Sequence, residues 1–334
     1  MALDTSKVKL DSGDAVAEAQ ACRTHCALFD FSFLECARIE GECAASFVEA
    51  FSGRSVKEMR DGEIAYAIRV DDRGRAQADL TLWKTGAQSF EIMSGRREDV
   101  ADLLALNGAG ARVTDLGTSR ATFAVQGPRT LDVLRKLGNV EPIARLNYFT
   151  FCHTDLCGIP CTIGRLGYTG EAGVEIIAAS DRAGELWRVL SAHARPAGFT
   201  AMDMLRIEAG FVLFSNEFRL PVSPREAGLG KFHPSAGQGG EKLRLVSFRA
   251  EAEGLSWPWR PANAPPRPTS SGVLAITSAC DSAAAGGILG LGFVVDSAGS
   301  DAPLRDPAAV FRDIRLVPLP FYDTAKRVPR ASWR

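Results

Sequence analysis

The chain has 334 residues, 46% of them hydrophobic and 24% charged, with 39 Lys and Arg against 40 Asp and Glu for a formal charge of −1. That balance belongs to a soluble globular chain. It excludes a disordered polymer, which would be poorer in apolar residues, and leaves no net positive field to gather nucleic-acid phosphates. At about 100–200 residues per domain, the length predicts two or three domains.

Residues 14–28 read as a helix, with Asp14 as N-cap and apolar residues every three to four positions. The run FDFSFLECARIEG from Phe29 reads as one strand, and 42–51 as a short helix ending near Gly53. Strand IAYAIRV (64–70), turn DDRGR and strand AQADLTLWK form a hairpin, followed by strand SFEIMSG and helix REDVADLLAL. This block predicts an antiparallel sheet with helices on one face. ATFAVQGPRTLDVLRKL reads as strand, turn and a helix from about Pro128, and CTIGRLGYTGEAGVEIIAA as a glycine-punctuated hairpin. Helices follow in AGELWRVLSAHA and, to about Ala209, in AMDMLRIEAGFVLF. From residue 221 the composition turns to Pro, Gly and Ser, and then to short strands, predicting a separate all-β C-terminal domain beyond a boundary at about 220–240.

No stretch reaches the roughly 18 apolar residues that span a membrane, and residues 1–14 carry no leader-like apolar run. The expectation is a cytoplasmic protein whose eight cysteines are reduced. Cys152, His153, Cys157 and Cys161 lie close in sequence, but their spacing fits no common zinc pattern, so no metal is expected. Phosphate-loop, serine-hydrolase and zinc-protease motifs are absent.

The most unusual stretch is GRLGYTGEAGVE, Gly164–Glu175. Its glycines allow close backbone approach to a ligand, and Glu175 would point away from Val174 and Ile176. Taken alone, Glu175 reads as a charge on a solvated strand face. Asp79, between Ala78 and Leu80, likewise reads as an edge charge.

Several segments together change that reading. FAVQGPRTLDVLRKL (123–137), GRLGYTGEAGVEII (164–177) and DMLRIEAGFVLFSNEF (203–218) closely resemble the successive signatures of the glycine cleavage T-protein (aminomethyltransferase) family. SPREAGLGKF (223–232), GVLAITSACDSAAAGGILGLGFV and PLPFYDTAKRVPR resemble its later segments, so the likeness covers about residues 20–330. The resemblance implies an α+β, three-lobed fold: residues 1–220 as a folate-binding region with a ferredoxin-like lobe at about 35–115, and 235–334 as a β-barrel-like domain. It implies tetrahydrofolate as cofactor and one-carbon transfer as activity.

Residue by residue, the resemblance makes Asp79 the catalytic carboxylate and places Tyr66, Tyr168 and Glu175 at the folate, Glu175 on the pterin. A carboxylate can accept two parallel N–H bonds, which suits a pterin. Either Arg327 or Arg330 would meet the folate tail. Departures cluster too: Ser94 stands where the family has Asn, Met202 where it has Arg, Phe214 where it has Tyr and Phe33 where it has His. An apolar donor end suits a small methylated donor better than a lipoyl-linked aminomethyl arm. The sequence reading is therefore methyl transfer from a small donor to tetrahydrofolate, as in a demethylase. Its alternatives are glycine-cleavage aminomethyl transfer with a lipoyl-protein partner, a folate-binding subunit beside a flavoprotein in an amine-demethylating complex, and a non-catalytic iron–sulfur assembly factor. The last expects a Cys motif where LGKFHPSAGQGGEK has none.

Overall fold

The computed structural model describes residues 13–106, 110–233, 242–296 and 303–333. The stretch examined for a leader lies outside these except for Gly13 and Asp14, as do residues 234–241 of the cysteine-free segment. The chain forms two units: one holds the described residues up to Ala67 with Asp79–Met202 and the C-terminus from Arg327, the other Ile68–Ala78 with Asp203–Lys326.

In the first unit, α1 (Ala15–Thr24) starts where Asp14 accepts the Val16 and Ala17 N–H groups, each at 3.1 Å. The run from Phe29 is two strands rather than one, β1 (Ala27–Asp30) and β2 (Glu35–Glu40), in different sheets. The break is local: the Asp30 carboxylate accepts the Ser32 N–H at 2.9 Å, and that turn competes with strand pairing.

Then come α2 (Ala44–Ser52), β3 (Ile64–Val70), β4 (Ala76–Gly86), β5 (Ser89–Ser94), α3 (Arg97–Ala105) and β6 (Arg112–Asp115). The strands assemble in the order β3-β4-β5-β2-β6. Alternate residues Ala37, Ile39, Leu80, Leu82, Phe90 and Ile92 bury one face, together with Val48 of α2 and Val100 and Leu103 of α3. Each buried Leu or Ile contributes about 1.5–3 kcal/mol.

A six-stranded sheet follows, built from β7 (Arg120–Gln126), β8 (Phe151–Leu156), β9 (Ile159–Gly164), β10 (Gly173–Ala179), β11 (Arg195–Ala197) and the earlier β1, in the order β11-β1-β7-β10-β9-β8. Helices α4 (Thr130–Arg135), α5 (Glu141–Ala144) and α6 (Ala183–Ser191) supply Val133, Ile143 and Leu186 to one of its faces, against Leu28, Val125, Ile163, Val174 and Ile176. The opposite faces of the two sheets meet in a third cluster: Cys36, Trp83 and Met93 from one sheet, Phe151 and Ile177 from the other, with Leu166 between. Helix α7 (Phe199–Glu208) leads out of this unit.

The second unit contains β12 (Leu243–Glu251), β13 (Ala275–Ser282), β14 (Gly287–Val295) and β15 (Arg312–Val317), in the order β13-β14-β12-β15. Phe248, Leu274, Ile276 and Phe311 form its apolar core, with Trp257 and Trp259 of the proline-rich run packed against it. Arg206 is fully buried here, donating to Asp203 at 2.6 Å, Glu217 at 2.7 Å and Ser278 at 2.7 Å. The architecture is α+β with three sheets. Among the described residues no helix is long and apolar enough to cross a membrane.

Candidate functional site

Period-two alternation places Tyr66 and Asp79 on the face of their sheet turned away from α2 and α3. Their neighbours Ala65, Ala67, Ala78 and Leu80 are the buried ones. Strand β4 lies between β3 and β5, so Asp79 is not an edge charge. The Tyr66 hydroxyl donates to Asp79 Oδ2 at 3.3 Å. Burial, and after it the Asp79 carboxylate and Tyr168, push the Tyr66 phenol well above its ordinary range, so it stays a donor.

Glu175 is not solvated: it is 7% exposed on β10, in the interior of the six-stranded sheet. Its cross-strand neighbours are Ala124 and Gly164, which together offer one methyl group of side chain. No hydrogen bond or ion pair reaches its carboxylate from the described residues, and burial pushes the carboxyl up to about 7. A buried carboxylate with no donor costs several kcal/mol when ionised. On the Gly164 side the Trp83 ring and Leu166 pack into the room the missing side chain leaves.

The loop leading to Glu175 is fixed by the glutamine that ends β7. Gln126 donates to the carbonyls of Leu166 and Val174 at 3.1 and 3.2 Å and accepts from Thr169 at 3.1 Å. A Cβ at Gly167 would come within 1.9 Å of the Gln126 side chain, and one at Gly173 within 2.4 Å, which is why both are glycines. Arg23 of α1 ties the loop down from outside, donating to the Thr169 carbonyl at 2.8 Å and to Glu171 at 3.1 Å. Half-buried Tyr168 is thus held where it acts on Tyr66.

The structure adds residues the sequence reading missed. Tyr148 is half-buried, and its phenol is raised by burial first, with Arg330 opposing and Glu175 reinforcing that shift. Arg330 lies over the Tyr148 ring at 5.5 Å. Arg165 sets this arrangement: it donates to the Leu146 carbonyl at 2.8 Å and to the carbonyls of Pro329 and Ala331, which fastens the C-terminal segment. Both candidate tail arginines are exposed; Arg330 is the one at Tyr148, while Arg327 precedes a short 3-10 turn. No motif signals Tyr148. The residue after it, Phe149, has a left-handed φ of 67°, held by bonds to Arg165 and Ile64 that no single sequence displays.

Ser94, which the resemblance sets among the folate-binding positions, is anchored within its own turn. Its hydroxyl donates to Asp99 at 2.6 Å and accepts the Arg96 N–H at 3.0 Å, closing the turn into α3. Phe33 and Met202 do come together through Phe199: the Phe33 ring meets it edge-on at 5.9 Å, and Met202 shares a small recess with it. Phe214 is buried in the second unit. Neither that recess, about 10 Å³, nor an open groove of about 550 Å³ along β8–β10 is lined by Asp79 or Glu175. No three His, Cys, Asp or Glu side chains among the described residues gather to hold a metal ion.

The site residues thus comprise a carboxylate–tyrosine pair on one sheet and a buried carboxylate without a donor on the other. Residues 9–234 match the family model for the GCVT N-terminal domain, and the chain belongs to that family. An aminomethyltransferase of Desulfitobacterium hafniense is 31% identical over 226 residues, 65% of this chain and 62% of that relative. The mitochondrial aminomethyltransferase of Gallus gallus is 30% identical over 294 residues, 81% of this chain and 75% of that relative. The chain thus matches about three-fifths of the length of the bacterial relatives, 60–62%. The crystal structure of the glycine cleavage system aminomethyltransferase T from Bartonella henselae shares the fold, with a TM-score of 0.76 at 22% identity over 95% of this chain and 92% of that one.

Proposed function

We propose that this chain is a tetrahydrofolate-dependent one-carbon transferase of the aminomethyltransferase kind. The observation that carries this reading is Glu175, a 7%-exposed carboxylate without a donor, beside Ala124 and Gly164. Bound tetrahydrofolate would supply the nitrogen that accepts the one-carbon unit. Glu175 accepts two pterin N–H bonds, which offsets its desolvation and draws it into the ionised state. Tyr168 and Tyr148 bound the ring, and Arg330 answers the glutamate tail. The Asp79 carboxylate, held by the Tyr66 hydroxyl at 3.3 Å, takes or stabilises the proton at the reacting nitrogen.

The relatives' name, aminomethyltransferase, favours an aminomethyl donor, and the family resemblance implies that a lipoyl protein presents it. Methyl transfer from a small donor is the second reading, supported by Phe33 and Met202 in the positions of His and Arg. One incubation separates them. Tetrahydrofolate becoming 5,10-methylene-tetrahydrofolate with an aminomethylated lipoyl protein supports the first, and 5-methyl-tetrahydrofolate from a methylated donor supports the second. Calorimetry with tetrahydrofolate tests their shared core: Glu175→Ala should weaken binding by about 1.5–3 kcal/mol, the worth of a charge-assisted hydrogen bond. An unchanged Kd would remove Glu175 from the site.

A further inference from the structure

The row of side chains that carries Asp79 holds a second polar group. On β4, Leu80 and Leu82 point to the face covered by α2 and α3. Asp79, Thr81 and Trp83 alternate with them and share the opposite face, about 7 Å from one to the next. Trp83 is buried in the cluster between the two sheets. Its Cη2 and Cζ3 atoms stand 2.2 and 2.7 Å from where a Cβ on Gly164 would lie. Gly164 is in turn the cross-strand neighbour of Glu175. The row therefore runs from Asp79 through Thr81 and Trp83 to the strand beside Glu175, all inside the first unit. Thr81 is half-buried, and Met93, which faces it across β5, brings no N–H or O–H group. The Trp83 indole N–H donates to the Thr81 hydroxyl oxygen at 2.9 Å. The proton of that hydroxyl has no acceptor among the described residues. A hydroxyl that already receives one bond and has a proton to give is suited to an acceptor atom on a ligand.

We infer that Thr81 is a specificity-determining residue that donates its O–H to the ring carbonyl of the bound pterin. The inference deepens the tetrahydrofolate reading above and rests on it. One edge of a reduced pterin presents, in order, the 2-amino N–H, the N3–H, the C4 carbonyl and N5. Glu175 accepts the first two groups, and Asp79 attends the nitrogen that receives the one-carbon unit. The carbonyl lies between them on the ligand, and Thr81 lies between them on the protein. With Glu175 an acceptor, Thr81 a donor and Asp79 a proton-handling group, the three side chains match the edge in sequence as well as in hydrogen-bonding sense. Trp83 is a positioning residue in this arrangement: its N–H occupies one lone pair of the Thr81 oxygen and leaves the O–H to turn toward the ligand.

The test uses the full chain and tetrahydrofolate carrying a heavy-carbon label at C4. Calorimetry gives the Kd for wild type, Thr81→Val, Thr81→Ser and Glu175→Ala, and isotope-edited infrared spectra give the carbonyl stretch of the bound ligand. Thr81→Val should bind about tenfold more weakly than wild type, and Thr81→Ser within about twofold of it. The carbonyl stretch should lie higher in Thr81→Val than in wild type or Thr81→Ser, because the hydrogen bond that softens the carbonyl is gone. A merely structural role for Thr81 would leave that frequency where it is. If Thr81→Val melts below wild type, Thr81→Cys decides: its thiol is a weak donor, and the stretch should stand between those of wild type and the free carbonyl. An unchanged stretch in a ligand-bound variant, with Glu175→Ala still weakening binding, overturns the role of Thr81 and leaves the folate reading standing. If wild type itself does not bind tetrahydrofolate, both fall.

Discussion

Replacing Glu175 by Gln tests the site through stability, a quantity independent of turnover. Burial holds the folded carboxyl at about 7 against an ordinary 4.5. The unfolded chain ionises from about 4.5 upward while the folded chain keeps its proton until about 7. Stability is therefore lost as pH rises through that window and is level above it. A difference of that size is about 3 kcal/mol at pH 8, as an upper figure. Gln keeps the shape and removes the charge, but leaves an amide whose own unmet bonding costs about 1–2 kcal/mol. The expected net gain at pH 8 is about 1–2 kcal/mol, or about 1.5–3 °C in melting temperature for a chain of this size. At pH 5, where the wild-type carboxyl is mostly protonated, the gain should vanish or reverse. Scanning calorimetry of both proteins at the two pH values measures it. The same variant should lose tetrahydrofolate affinity, because Gln offers an N–H where the pterin also offers one. An identical melting difference at pH 5 and pH 8 would refute the uncompensated carboxylate and the argument built on it.

Asp79→Asn should abolish one-carbon transfer while leaving tetrahydrofolate binding within several-fold, measured by product formation and calorimetry; full turnover would end Asp79's assigned role. Gly167→Ala should destabilise the first unit by about 1–3 kcal/mol through overpacking against Gln126, read by urea unfolding. If it melts like wild type, Gln126 does not pin the loop. Arg206→Met should cost about 3–5 kcal/mol, because it strands Asp203 and Glu217 in a buried setting. Should unfolding remain unchanged, that network would not hold the second unit together.

The alternation of β3, β4 and β5 was legible in the sequence because a half-buried sheet writes its burial into every second residue. So were the Asp14 cap and the Gly53 stop, which depend on neighbours only a few positions away. The T-protein likeness was legible because its motifs stand as fixed words in the chain, even where their cause is distant: Gly167 and Gly173 are glycines on account of Gln126, some 40 residues away. Burial of Glu175 was not legible. It depends on Ala124 and Gly164 flanking it across two strands, which turns an ordinary strand charge into a carboxylate lacking a donor. Asp79 as an interior residue, Ser94 spent on Asp99, and Arg330 rather than Arg327 at Tyr148 were decided in the same way. In each case the controlling partner is distant in the chain and is brought near only by sheet order, left-handed Phe149 and the Arg165 clamp. Pattern along the chain dictates what each segment becomes, while the electrostatics of the site arise from which segments pack side by side.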